Sequence, residues 1–176
     1  MPALSLLDRL LPRRDDSRDM LPLYSSIIAA ARVPAWYRDG AVPDTVDGRF
    51  DMVAAITSLV LLRLEQEDSA QTRSASALLT ELFVDNMDSD LRQMGIGDLM
   101  VGKHVGKMMG ALGGRLSALR EAGSGDLAPA VRRNIFREAP PSEAAVTFVA
   151  GRLGAFRDEL AGLSASALYA GELPRP

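Results

Sequence analysis

Apolar residues recur at the spacing of an α-helix along most of this chain. The clearest stripe lies near the C-terminus, at spacings of four, three, four and three: Val149, Leu153, Phe156, Leu160 and Leu163. Such spacing places every apolar side chain on one face of a helix. No stretch alternates with period two for long enough to form a strand. We therefore predict an all-α fold, a single compact domain of about six helices with no sheet.

Prolines, glycines and capping residues divide the chain into these helices. The predicted helices cover 17–32, 45–66, 70–93, 98–122, a short stretch that ends near 137, and 142–163. Residues 33–50 are predicted to be a loop that carries the only tryptophan. The sequence predicts a flexible or membrane-proximal segment over 1–16, the helical domain over 17–163, and a flexible tail over 164–176.

Residues suited to helix ends support three of these boundaries. Asp44 or Thr45 is expected to cap the second helix, with Asp47 in its electropositive first turn. Gly95 suits the end of the third helix, and Asp98 is expected to cap the fourth.

Composition excludes several classes of function. A net charge of −3 argues against general nucleic-acid binding. The chain has no cysteine, and its single histidine, His104, cannot form a multi-histidine metal site. The longest apolar run, 52–62, falls short of the ~20 residues that span a bilayer, so it is predicted to be a buried core helix. We expect no cofactor and no catalytic residue, because no convergent acid–base groups are evident.

The first residues form a short amphipathic pattern. The leucines that share one predicted face there are Leu4, Leu7, Leu10 and Leu11. Arginines nearby would suit a membrane-surface contact, whereas interspersed aspartates and Pro12 favour a frayed or docked terminus. Both interpretations stay open.

The fourth predicted helix carries glycine once per turn. The four positions are Gly102, Gly106, Gly110 and Gly114. Each glycine costs a helix about 1 kcal/mol relative to alanine, so a compensating role is expected. Removal of the Cβ atoms would let another helix approach closely, and five of the eight methionines lie between 87 and 109. A groove for an apolar client and a tight intramolecular helix crossing both fit this pattern.

Two motif-like stretches favour ordinary structural roles. The segment GDLMVGKH (97–104) nearly matches a phosphate-binding loop, but His104 replaces the required hydroxyl and no strand precedes it. Asp85, Asp88 and Asp90 could suggest a magnesium site, yet Asp90 lies off the shared face. Solvated or ion-paired carboxylates are the simpler prediction.

Two blocks of the sequence resemble a known family. VPAWYRDGAVPDTVDGRFDM (33–52) and MDSDLRQMGIGDLMVGKHVGKM (87–108) are similar to the signature blocks of the ubiquinol–cytochrome c chaperone family. The matching residues of the first block are Trp36, Tyr37, Pro43, Asp44, Asp47, Gly48, Arg49 and Phe50. Those of the second are Asp88, Leu91, Arg92, Gly95, Gly97, Asp98, Gly102 and Lys103. The resemblance covers about residues 20–137.

The resemblance implies a helical, non-enzymatic assembly factor for ubiquinol–cytochrome c reductase, with newly made apocytochrome b as its client. Mitochondrial members act with a small partner subunit near the ribosome. We expect no mitochondrial presequence from the first residues, so the resemblance implies a bacterial member in the cytoplasm, at the inner membrane face. A small co-chaperone subunit, self-association and contact with the ribosome or the membrane stay open as partners.

One surface is predicted to bind the client or partner, built from the glycine helix and the aromatic loop. Its contact residues are predicted to be Trp36, Tyr37, Arg49, Phe50, Met94, Met100, Lys103, Lys107 and Met108. Structural roles are predicted for the remaining motif residues: Asp44, Asp47, Gly48, Asp88, Arg92, Gly95, Gly97, Asp98, Gly102, Gly106, Gly110 and Gly114.

Two alternatives remain. One is a helical adaptor that dimerises or docks through the stripe of its last helix, without a client groove. The other is a haem- or quinone-binding helical protein.

Overall fold

The structure is a computed structural model that describes residues 16–93, 95, 97–137 and 140–176. It begins with a 3₁₀ turn over Asp16–Met20. The α-helices that follow are α1 (Leu21–Ala31), α2 (Pro34–Arg38), α3 (Val46–Glu65), α4 (Ala70–Gln93), α5 (Asp98–Ala122), α6 (Ala128–Asn134), α7 (Glu143–Ala161) and α8 (Ala165–Tyr169). None of the described residues lies in a strand, so the predicted all-α fold is confirmed.

Helix α3 forms the centre of a single compact domain. Every residue from 50 to 61 is buried, and α3 packs against α1, α4, α5 and α7. The apolar run 52–62 is therefore a core helix, as predicted. Across the described ranges, no helix is both long enough and apolar enough to cross a membrane.

Side-chain caps explain where three helices begin. The Oγ1 of Thr45 accepts a hydrogen bond from the Gly48 amide at 3.1 Å, which makes Thr45 the cap of α3. Ser142 caps α7 through the amide of Ala145. Ser69 and Thr72 exchange hydrogen bonds between side chain and backbone at the start of α4, in the manner of a capping box.

Two short helices lie where the sequence predicted none. Pro34 begins α2 inside the predicted loop 33–50, because the ring of proline suits the first turn of a helix. In the predicted flexible tail, Ser164 caps α8, whose Leu168 is fully buried. The Ser26 hydroxyl of α1 donates to the Gly171 carbonyl at 2.7 Å, so the predicted tail is packed on the domain. The predicted N-terminal segment falls outside the described residues up to Asp15.

The stripe on the last long helix faces inward. Val149, Leu153, Phe156 and Leu160 of α7 are each at most 1% exposed. An adaptor that dimerises through this stripe would have to expose the core of the domain. These four buried residues therefore cannot form a dimer interface in this fold, whereas Leu163, the fifth residue of the predicted stripe, follows the end of α7 and is partly exposed.

Candidate functional site

The predicted aromatic contact does not reach the surface. Trp36 is fully buried, and its Nε1 donates to the Ala30 carbonyl at 2.9 Å. The Arg152 guanidinium lies 5.7 Å from the centre of its ring. Tyr37 is half-buried, and its hydroxyl donates to the Ala31 carbonyl. Trp36 is therefore a core residue that fastens α2 to α1, and its prediction as a client contact is wrong.

The first block ends in a tight turn before α3. A Cβ atom on Gly48 would lie 1.9 Å from the Pro43 carbonyl oxygen, so only glycine fits there. Asp44, the alternative cap, instead accepts from Arg49 at 2.6 Å on the surface. The turn leaves Val46 and Arg49 exposed on the surface, whereas Phe50, also a predicted contact, is buried.

The two sequence blocks meet at one apolar cleft. Its volume is about 280 Å³, and it lies between α1, the start of α3, the end of α4 and Met108 of α5. Its apolar lining is Ile28, Val46, Phe50, Val53, Met87 and Met108. Val46 is 60% exposed at its rim. Arg32, Arg49 and Asp90 supply charge at the edge.

An ion cluster that the sequence analysis missed lies beneath this cleft. The Asp51 carboxylate is buried and accepts from Arg115, and also from Arg137 at 2.9 Å. Burial raises the pKa of Asp51 to about 6 and lowers that of Arg115, while the two arginines act in the opposite direction on Asp51. The carboxylate is therefore ionised at neutral pH. Arg115 also lies 5.5 Å from the centre of the Phe50 ring, so the cluster supports the cleft lining.

The second block ends α4 and begins α5. Asp88 accepts from Arg92 at 2.6 Å across one helical turn. Gly95, which was predicted to end this helix, has a φ of +79°, the left-handed conformation that is common just after a helix. Gly97 is the cap of α5, and Asp98 is its first residue, so the prediction of Asp98 as the cap is wrong. Leu91 is helical, whereas Met94, a predicted contact, lies outside the described residues.

The glycine ladder faces outward. Gly102, Gly106, Gly110 and Gly114 are exposed, and a Cβ atom added to any of them would meet nothing within 4 Å. Gly113 shares this property. No segment in the described part of the chain crosses this face, so the described residues do not form the tight intramolecular crossing. We call these five positions the glycine face.

Two lysines flank the glycine face, whereas the predicted contact Met100 points away from it, because it precedes Gly102 by two residues, about 200° around the helix. Lys103 and Lys107 are exposed, and Met100 is 47% exposed. Neither lysine forms an ion pair with a described residue. His104 contacts the Met100 carbonyl through Nδ1 at 2.8 Å, a local contact within the helix.

The predicted single groove is divided into two surfaces. Met108 is half-buried and lines the cleft. At about 100° per residue, Gly102 and Gly106 point more than a quarter turn away from Met108. The glycines and Met108 therefore do not line a common cavity, because they lie on different sides of α5.

The sequence profile of the family described as Ubiquinol-cytochrome C chaperone matches residues 38–175. The chain belongs to the ubiquinol-cytochrome C chaperone family. The match extends beyond the predicted range of 20–137 to include α7 and α8. It begins after Trp36 and Tyr37, which are part of the predicted first block.

A solved structure supports membership of the chaperone family. The crystal structure of the Cbp3 homolog from Brucella abortus is similar to this chain with a TM-score of 0.75 and 28% sequence identity. The similarity covers 97% of each chain. A comparison with curated proteins finds no match.

Proposed function

We propose that this chain is a non-enzymatic assembly chaperone that holds newly made apocytochrome b on the glycine face of α5. The observation that carries the proposal is the open space outside Gly102, Gly106 and Gly110, where no described atom would meet an added Cβ. Membership of the ubiquinol-cytochrome C chaperone family supplies the assembly role. The Cbp3 homolog supports the same assignment.

The chemistry of the glycine face suits an apolar helix of a membrane protein. Helices with small residues along one face approach each other closely, and their contacts are many and individually weak. A client bound in this way can be released without the loss of one strong anchor. Lys103 and Lys107 would lie beside the polar end of the client helix.

The proposed client requires a place of action near the membrane. Apocytochrome b is a bundle of apolar helices, so we propose that the chaperone works in the cytoplasm, peripherally at the inner membrane. A small second subunit and the ribosome remain candidate partners. A haem- or quinone-binding role has no observation that favours it over client binding.

The variant Gly106→Leu/Gly110→Leu should be more stable but inactive. Both sites are exposed within α5, so the better helix former should raise the free energy of unfolding by about 1–2 kcal/mol in total. The two side chains would fill the space that the client helix occupies. In a strain that lacks the gene, the variant should fail to restore the b-type haem absorption of the membranes.

Gly151→Leu is the matched control. Gly151 is an exposed glycine inside α7, and nothing lies within 4 Å of its added Cβ. It should gain stability in denaturant unfolding and restore b-type haem fully. Full restoration by the double variant would contradict the proposed client face.

A further inference from the structure

Two surface depressions meet at the same pair of arginines. The apolar cleft described above is bordered by Arg32 and Arg49. A second depression of about 580 Å³ is lined by the same two residues. Its lining is Arg32, Pro34, Tyr37, Arg38, Asp44 and Arg49. The apolar cleft and the arginine-lined depression thus adjoin at Arg32 and Arg49.

The arginines are locally concentrated in a chain whose net charge is −3. Three arginines and one aspartate line the second depression. Arg38 pairs with Asp39 at 2.8 Å, and Arg49 pairs with Asp44 at 2.6 Å, both on the surface. Arg32 is exposed and has no ion pair with any described residue. Among the described residues, the Arg32 guanidinium therefore has no ion-pair partner, and the partner of Arg49, Asp44, is itself exposed.

This combination matches the chemistry of a phospholipid. The planar fork of arginine binds phosphate oxygens through paired hydrogen bonds, and one phosphate can bridge two guanidinium groups. In the adjoining apolar cleft, an acyl chain would contact Ile28, Val53 and Met108. Val46, exposed at the rim, would enter the boundary between headgroups and chains.

We propose that this surface docks the protein on a membrane by binding an anionic phospholipid. The phosphate lies against Arg32 and Arg49, and an acyl chain follows the apolar cleft. The site lies on a different side of α5 from the glycine face, so it is separate from the proposed client site. Lipid and client can therefore be bound at the same time.

Binding of the purified full chain to vesicles tests this proposal. Vesicles of phosphatidylcholine mixed with phosphatidylglycerol should sediment the protein, and vesicles of phosphatidylcholine alone should not. Arg49→Glu should weaken binding by at least about tenfold, because each charge near an anionic surface contributes strongly to affinity. Arg32→Glu should act similarly. Val46→Ser should also weaken binding, without a change in charge.

Arg73→Glu is the matched control for Arg49→Glu. Arg73 is also exposed and pairs at 2.6 Å with an aspartate five residues earlier, Asp68. It precedes Asn86, which lines the cleft, by thirteen residues of α4, about 20 Å along the helix. Both variants have the same net charge, so Arg73→Glu should retain binding.

Three results would overturn the proposal. If Arg49→Glu and Arg73→Glu lost vesicle binding to the same extent, the result would show only a general effect of net charge. If inorganic phosphate raised the unfolding temperature as much as short-chain phosphatidylglycerol does, the surface would be a phosphate site and not a lipid site. Unchanged vesicle binding with lost crosslinking of cytochrome b in Arg49→Glu would indicate a peptide site. Loss of vesicle binding with retained client crosslinks would support the lipid site while leaving the proposed function intact.

Discussion

Arg115→Met should lower the free energy of unfolding by about 3 kcal/mol or more, because it leaves the buried Asp51 carboxylate with a single, partly exposed partner. Arg115 is 2% exposed, and its guanidinium also donates to the Ala111 and Asn134 carbonyls at 3.0 and 2.8 Å. Methionine fills much of the volume but supplies none of these hydrogen bonds. Unfolding in guanidinium chloride at neutral pH measures the loss of stability.

Arg120→Met separates the buried charge from the general loss of an arginine. Arg120 lies on the same helix and pairs with Glu65 at 2.9 Å, but both side chains are about half exposed. An exposed pair of this kind contributes about 1 kcal/mol or less. The double variant Asp51→Asn/Arg115→Met should recover part of the stability lost in Arg115→Met. Equal losses in Arg115→Met and Arg120→Met would contradict the role of the cluster.

Gly48→Ala should lower the free energy of unfolding by about 2–4 kcal/mol, since the new methyl group overlaps the backbone. Its Cβ would lie 1.9 Å from the Pro43 carbonyl oxygen and 2.9 Å from the carbonyl carbon. No side-chain rotation relieves a contact with backbone atoms. The turn must move, and the hydrogen bond from the Gly48 amide to Thr45 is weakened. The same unfolding measurement detects the loss.

Gly151→Ala provides the comparison for this backbone contact. It also replaces a helical glycine, but its new Cβ meets nothing within 4 Å. We expect it to gain about 0.5–1 kcal/mol from helix propensity and the lower entropy of the unfolded chain. A Gly48→Ala protein as stable as Gly151→Ala would show that the turn before α3 can adjust freely.

Most of the fold could be predicted because the long helices have strong local signals. The apolar stripe of α7 and the continuous apolar run of α3 depend only on nearby residues. The short helices α2 and α8 could not be found in this way, because five residues are too few for periodicity to appear. Their stability comes from contacts with distant parts of the chain, such as the burial of Leu168.

The surfaces were less predictable because they depend on which way each helix faces. Glycine spacing predicted a bare helix face, but only packing shows that it points away from Met108 and the cleft. Trp36 is buried because it lies in the short helix α2, which could not be predicted from the sequence. Asp51 could have been noticed as an acidic residue at the head of an apolar run. Its partners lie 64 and 86 residues further along the chain, beyond any local pattern.

Photo-crosslinking during synthesis of cytochrome b tests the proposed client face most directly. Crosslinkers at Lys103 and Lys107 would lie beside the glycine face, one at Val46 would report on the cleft, and one at Thr147 would lie on the exposed side of α7. We predict crosslinks to cytochrome b from Lys103 and Lys107 and none from Thr147. Crosslinks from Val46 or Thr147 alone would contradict the assignment of the glycine face.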